Sequence, residues 1–154
     1  MPLAECAALG GVLTASHEGA RKILAQYINA DITDPRLKQI DTLARSIVAK
    51  GNTPSPLEVI AEANATGVIQ PRHRPALGRL LADLTDVRIT PQNHVPATYA
   101  RVLTHDGVRR RINEAATRLG QATQDAGLIE LVEITRSEIE ALTTALDRLN
   151  DGGK

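Results

Sequence analysis

The chain of 154 residues contains no phenylalanine and no tryptophan, and two tyrosines are its only aromatic residues. Its apolar share, 42% of the chain, comes mainly from alanine, leucine, valine and isoleucine. That palette suits closely packed helices better than a sheet, where aromatic and β-branched side chains predominate. Cys6 is the sole cysteine, so an internal disulfide and a cysteine-based zinc site are excluded and a reducing compartment is expected. An excess of either charge is also missing, because 18 basic residues cancel 18 acidic ones. A neutral chain argues against broad electrostatic attraction to nucleic acid, although a local patch remains open. No apolar run approaches the ~18 residues of a membrane span. The apolar start PLAECAALGGVL carries Glu5 and lacks a basic lead, which makes it a poor signal peptide. The expectation is a cytoplasmic, all-α protein with no membrane segment.

What is present reads as a succession of helices. Leu3 to Leu13 forms the first, with Leu9, Val12 and Leu13 on one side. SHEGARKILAQY opens on Ser16 as N-cap and brings Ile23, Leu24, Tyr27 and Ile28 to one face. After a turn from Asp31 to Pro35, Asp34 caps a third helix starting at Pro35 and carrying Leu37, Ile40, Leu43, Ala44 and Ile47. Gly51 ends it. NTPSP is a loop, and Ser55 with Pro56 starts a fourth helix that ends near Gly67. PRHRP is a loop or first turn before ALGRLLADL, the fifth helix. VRITPQNHVP is a linker with two prolines. Residues 1–92 therefore form a compact helical head, and residues 93–154 a long antiparallel helical hairpin.

The hairpin is the most informative stretch. From Pro96 to Asn150 no further proline occurs, and apolar residues fall at steps of three and four on both sides of Gly127. One arm carries Val108, Ile112, Ala115, Leu119, Ala122 and Ala126. The other carries Leu128, Val132, Ile139, Leu142, Leu146 and Leu149, with Thr135 filling the gap. Each set shares one narrow helix face. Near the turn, Leu128, Ile129, Leu131, Val132 and Ile134 point in several directions, so that end needs more than one neighbour. Ile112, Leu119, Leu128, Ile129, Leu131, Val132, Ile139, Leu142 and Leu146 are the candidate self-association or partner surface. Thr104 to Gly107 interrupts the stripe that runs through Val95, Tyr99 and Val102, and is the expected kink between head and hairpin.

Read in order, the chain shows Ala4, Glu5, Leu9, Gly10 and Gly11; then Gly51 and Pro54; then Leu80, Leu81 and Leu84; then Tyr99, Ala100 and Val102; then Arg110 and Arg111. Each motif is short, but their shared order, across roughly residues 3–149, resembles the N-terminal domain of DnaB-type replicative helicases. There are departures. Ile32 stands where the family usually has a phenylalanine, Leu80 replaces a tyrosine, and Leu57 and Glu58 follow Pro56 in place of the usual acidic residue. The phosphate-binding G-x-x-x-x-G-K-[ST] run of the helicase motor is also missing. The resemblance implies a non-enzymatic, cofactor-free domain that self-associates as a dimer or larger homo-oligomer. It also implies docking of primase, helicase loader or full-length replicative helicase. Met1 and the DGGK tail read as the ends of a stand-alone product.

Other features carry less. Arg109, Arg110 and Arg111 are candidate polar contacts, but successive helical residues cannot share one face. Arg72, His73, Arg74 and Arg79 form a local basic patch behind an Ala63–Gly67 spacing found in helix-turn-helix proteins. A DNA-binding regulator dimerising through the hairpin is therefore the alternative reading. His17, His73, His94 and His105 include no pair at the i, i+4 spacing of a zinc helix, and no catalytic residue or metal ligand is nominated. Glu130, Glu133, Glu138 and Glu140 read as solvated helix positions.

Overall fold

The computed structural model describes residues 3–86 and 96–151, and among them there are seven α-helices and no strand. They are α1 (Leu3–Thr14), α2 (His17–Leu24), α3 (Pro35–Ala49), α4 (Pro56–Thr66), α5 (Arg74–Thr85), α6 (Pro96–Asp125) and α7 (Leu128–Asp151). Short 3₁₀ turns at Asn29–Asp31 and Pro71–His73 precede α3 and α5. The expected linker with His94 and Val95, and the tail beyond Asp151, lie outside the described residues. The chain divides into two compact units, Met1–Leu103 and Thr104–Lys154. The boundary falls within α6, which is helical throughout, including residues 104–107.

In the first unit, α1 packs against α2, α3 and α5. Every residue from Glu5 to Leu13 is buried, rather than the single side that its leucines and valine suggest. Small alanines and glycines leave room for neighbours on all sides, as suits a central helix. Leu9, Val12, Leu37, Ile40, Leu43, Ile47, Val59, Leu81 and Leu84 form the core, with Ala100 and Leu103 of α6 added to it.

Local chemistry sets the helix ends. Ser16 Oγ accepts from the Gly19 N–H at 3.2 Å, and Asp34 Oδ1 from the Arg36 N–H at 2.9 Å. Ser55 Oγ accepts from the Glu58 N–H at 3.3 Å. Gly51 and Gly67, at φ +84° and +66°, close α3 and α4 in the left-handed region that favours glycine.

Helix α2 stops at Leu24, short of the expected face through Tyr27 and Ile28. Arg45, one helix away, donates to the carbonyls of Leu24 at 3.0 Å and Tyr27 at 2.9 Å. Those carbonyls thus have a partner without another helical turn. Tyr27 is buried from the turn instead, with its hydroxyl donating to Asp41 Oδ1 at 2.8 Å, while Ile28 is exposed. The fully buried Asp41 also accepts from Asn29 and Arg45, each at 2.8 Å.

The second unit is an antiparallel hairpin turning at Gly127. Arg118 of α6 donates to Glu138 of α7 at 2.8 Å across the turn and fixes the register. Val108, Ala115 and Ala122 are buried on α6, and Glu138 and Ala145 on α7, with Leu131 half-buried before them. Both sets repeat every seven residues, the spacing of an interhelical seam. Glu138 is therefore not the solvated position its sequence suggests. It occupies a seam site and is held there by the Arg118 guanidinium.

Four expected outcomes follow from this packing. Ala substituted at Gly11 would place its Cβ 2.3 Å from Pro96 Cβ, so G11A should lower unfolding free energy by about 1–3 kcal/mol. Gly78 has open space, so G78A should raise it by about 0.5–1 kcal/mol; urea titration reads both. In the hairpin, Arg118→Ala strands a buried carboxylate and should speed amide exchange in α6 and α7, whereas Glu138→Leu should leave it unchanged or slower. Finally, the hydrogen bond from Arg36 depresses the Asp34 carboxyl from 3.8 to about 2. A depressed folded value means stability is present above 3.8 and lost as pH falls towards about 2. Asp34→Asn keeps a capping oxygen and should flatten that acid limb in thermal melts between those pH values.

Candidate interaction surface

Three of the six seam residues are alanines, and several larger apolar residues of the hairpin lie outside it. Ile112 is 44% exposed, Leu146 46%, Val132 49% and Ile139 57%, while Leu128 and Ile129 at the turn reach 77% and 79%. Leu119, Leu131 and Leu142 are half-buried. At 100° per residue, Leu128, Val132, Ile139 and Leu146 cluster on α7 at about 90° from the seam line of Leu131, Glu138 and Ala145. On α6, Ile112 and Leu119 are displaced from the line of Val108, Ala115 and Ala122 by about 50° in the same rotational sense. Because the helices are antiparallel, equal senses of rotation bring both displacements to one side of the hairpin. The result is a single apolar face with Ile112 and Leu119 beside Val132, Ile139 and Leu146. Ile129 points away from α6 and stands apart from this face.

The opposite side carries carboxylates among smaller apolar residues. A groove of about 610 Å³ runs between the helices there, its walls mixing Asp125, Glu130 and Glu133 with Ala122, Ala126 and Ile134. Arg118 is engaged with Glu138. Ile112, Leu119, Val132, Ile139 and Leu146 thus share one side of the hairpin, while Asp125, Glu130 and Glu133 lie on the other with Ile134 among them.

The remaining sequence candidates are dispersed. Arg109 and Arg111 are exposed and Arg110 is half-buried with a partner of its own. His17 lies against the Val48 carbonyl at 3.1 Å, a contact within the first unit. Arg72, His73, Arg74 and Arg79 are exposed around the start of α5. Ala63 is buried on α4, and Gly67 ends that helix, so the α4–α5 pair does have a tight glycine turn. Among the described residues, no three His, Cys, Asp or Glu side chains are grouped so as to hold a metal ion. None of the described helices is long and apolar enough to cross a membrane.

Sequence reasoning missed the buried polar residues. Glu5, 3% exposed, accepts from the Thr33 N–H at 2.8 Å and the Asp34 N–H at 3.2 Å, tying α1 to the entry of α3. Glu62 accepts from Lys50 Nζ at 2.6 Å and Ser46 Oγ at 2.7 Å, tying α4 to α3. These two hydrogen bonds hold its carboxyl below the usual range, that from Lys50 most strongly. Nothing local in the sequence marks either glutamate, since each partner lies far along the chain.

No family model matches the chain, and no curated protein matches its sequence. Solved structures do match. One is the crystal structure of the N-terminal domain of DnaB helicase from Mycobacterium tuberculosis, with a TM-score of 0.73 and 23% identity. The similarity covers 91% of this chain and 95% of that one. The two share one fold over nearly their whole lengths, and this chain has the all-α fold of a DnaB helicase N-terminal domain.

Proposed function

We propose that this chain is a non-enzymatic assembly domain of the replicative-helicase type. In this reading it works in the cytoplasm by self-association and by docking primase, helicase loader or a full-length replicative helicase. The observation that carries it is the one-sided apolar face of Ile112, Leu119, Val132, Ile139 and Leu146. Such a face on an otherwise amphipathic hairpin is best satisfied by a like face, because an isologous contact pairs each residue with its symmetry mate's surroundings. The fold shared with a DnaB N-terminal domain supports the reading.

The magnitudes favour a reversible dimer. Covering a half-exposed Ile, Leu or Val contributes about 1 kcal/mol. Five such residues from each copy would give on the order of 10 kcal/mol, against association costs of about 4–15 kcal/mol. Leu128 and Ile129 extend apolar surface to the turn and are the proposed contact for a second protein. Arg109, Arg110 and Arg111 would supply polar contacts at the rim of such an assembly.

Light scattering over a concentration series tests the self-association. The chain should pass from monomer to dimer with rising concentration, and Ile139→Asp or Leu146→Asp should shift the midpoint at least tenfold without loss of helical circular dichroism. A strict monomer at high concentration would sink the proposal. Docking is tested by capture of purified primase, loader and helicase, which Ile129→Asp should weaken.

A further inference from the structure

The three arginines before residue 66 each have a carboxylate partner: Arg21 with Glu18, Arg36 with Asp34 and Arg45 with Asp41. Arg72, Arg74 and Arg79 differ. They are exposed around the 3₁₀ turn and the first turns of α5, and none forms an ion pair among the described residues. From residue 63 to residue 82 there is no aspartate or glutamate to offset them. The surface around them is small or polar. Pro71, Pro75, Ala76 and Ala82 are exposed there, and Val68, at 50%, is the only large apolar residue exposed from residue 63 to residue 86. Gly78 stands on α5 between Arg74 and Arg79. A Cβ at Gly78 would meet nothing within 4 Å, so packing inside the protein does not call for glycine at that position.

We propose that Arg72, Arg74 and Arg79 grip the phosphate backbone of duplex DNA, with the bare backbone at Gly78 allowing close approach. Five residues of helix set Arg74 and Arg79 about 7.5 Å apart along α5, and the 3₁₀ turn places Arg72 about 4 Å before Arg74. One strand of a duplex carries a phosphate about every 3.4 Å of axis, so the three guanidiniums span about three successive phosphates. Each guanidinium offers directional N–H donors to phosphate oxygens. A protein partner fits less well, because protein interfaces bury aromatic or large apolar anchors and this surface offers only Val68. A single strand also fits less well. Tyr27 is buried and Tyr99 packs against the core, so no aromatic platform stands beside the arginines for bases to stack on. Residues 67–73 separate α4 from α5, a longer connection than the three- or four-residue turn that holds a recognition helix in a helix-turn-helix. The grip is therefore on the backbone without reading of bases, which sets it apart from a DNA-binding regulator. It uses none of the apolar face of the hairpin.

Fluorescence anisotropy of a labelled DNA duplex, titrated with the full chain, tests the contact. Binding at ~20 mM salt should weaken with a log–log salt slope of about −2.7, the value for three phosphate contacts. Two duplexes of unrelated sequence should bind within about twofold of each other, and the single strand should bind more weakly. R72E/R74E should lose about tenfold or more and bring the slope to about −1. K22E/R136E reverses two exposed charges on α2 and α7 and should lose far less. Gly78→Leu should weaken binding several-fold with no loss of thermal stability. No binding at low salt, equal losses in the two charge-reversal variants, or wild-type binding by G78L overturns the inference. Displacement of the duplex by poly-glutamate as effectively as by unlabelled duplex would assign the arginines to carboxylates and overturn it equally. Light scattering reads the apolar-face dimer separately, so failure here leaves that reading standing.

Discussion

Two helices can approach closely only where the side chains between them are small. In the hairpin this condition is met by Ala115 and Ala122 on one arm and Ala145 on the other, repeating with Val108, Leu131 and Glu138 at seven-residue steps. The consequence is an inversion of the usual order, in which large apolar residues go inside. Ile112, Val132, Ile139 and Leu146 lie beside the seam rather than in it. Their exposure gives the hairpin an apolar face distinct from its own interior.

The first unit meets a related constraint. Without phenylalanine or tryptophan, its core has few large side chains to bridge between helices, and buried carboxylates supply several of the links. Glu5 holds the backbone before α3, Asp41 gathers Tyr27, Asn29 and Arg45, and Glu62 binds Lys50 and Ser46. A buried carboxylate is costly when alone, yet each of these accepts at least two hydrogen bonds. Such groups specify which helix lies where, since only one arrangement satisfies them all.

The division between what was legible in the sequence and what was not follows the range of the interactions. Ser16, Asp34 and Ser55 as caps, Pro35 and Pro56 as starts, and Gly51 and Gly67 as stops act within a few residues, so the pattern alone located α2, α3 and α4. The premature end of α2 depends on Arg45, twenty residues further on, and no local signal reports it. In the hairpin, three-and-four periodicity correctly placed Val108, Ile112, Ala115, Leu119 and Ala122 on one side of a helix. It could not distinguish the alanines that meet the other arm from the isoleucine and leucine beside them. Charge was misleading for the same reason: Glu138 has the spacing of a solvated residue, and only the arrival of Arg118 from the opposite arm makes its burial tolerable.

Net charge near zero is a sum, and a sum hides segregation. Residues 63–82 carry cations and no carboxylate, while Asp125, Glu130 and Glu133 gather on one side of the hairpin near its turn. Were these charges merely there to solvate the surface, mixing the two signs would serve equally well and would cost less in like-charge repulsion. Separation is disfavoured within one copy unless the opposed signs meet. The apolar face is left uncovered among the contacts the chain makes within the hairpin unit, and the like face proposed above would cover it. Hydrophobic burial is non-directional and sets strength, whereas paired guanidinium and carboxylate groups set register and reject poor alignments.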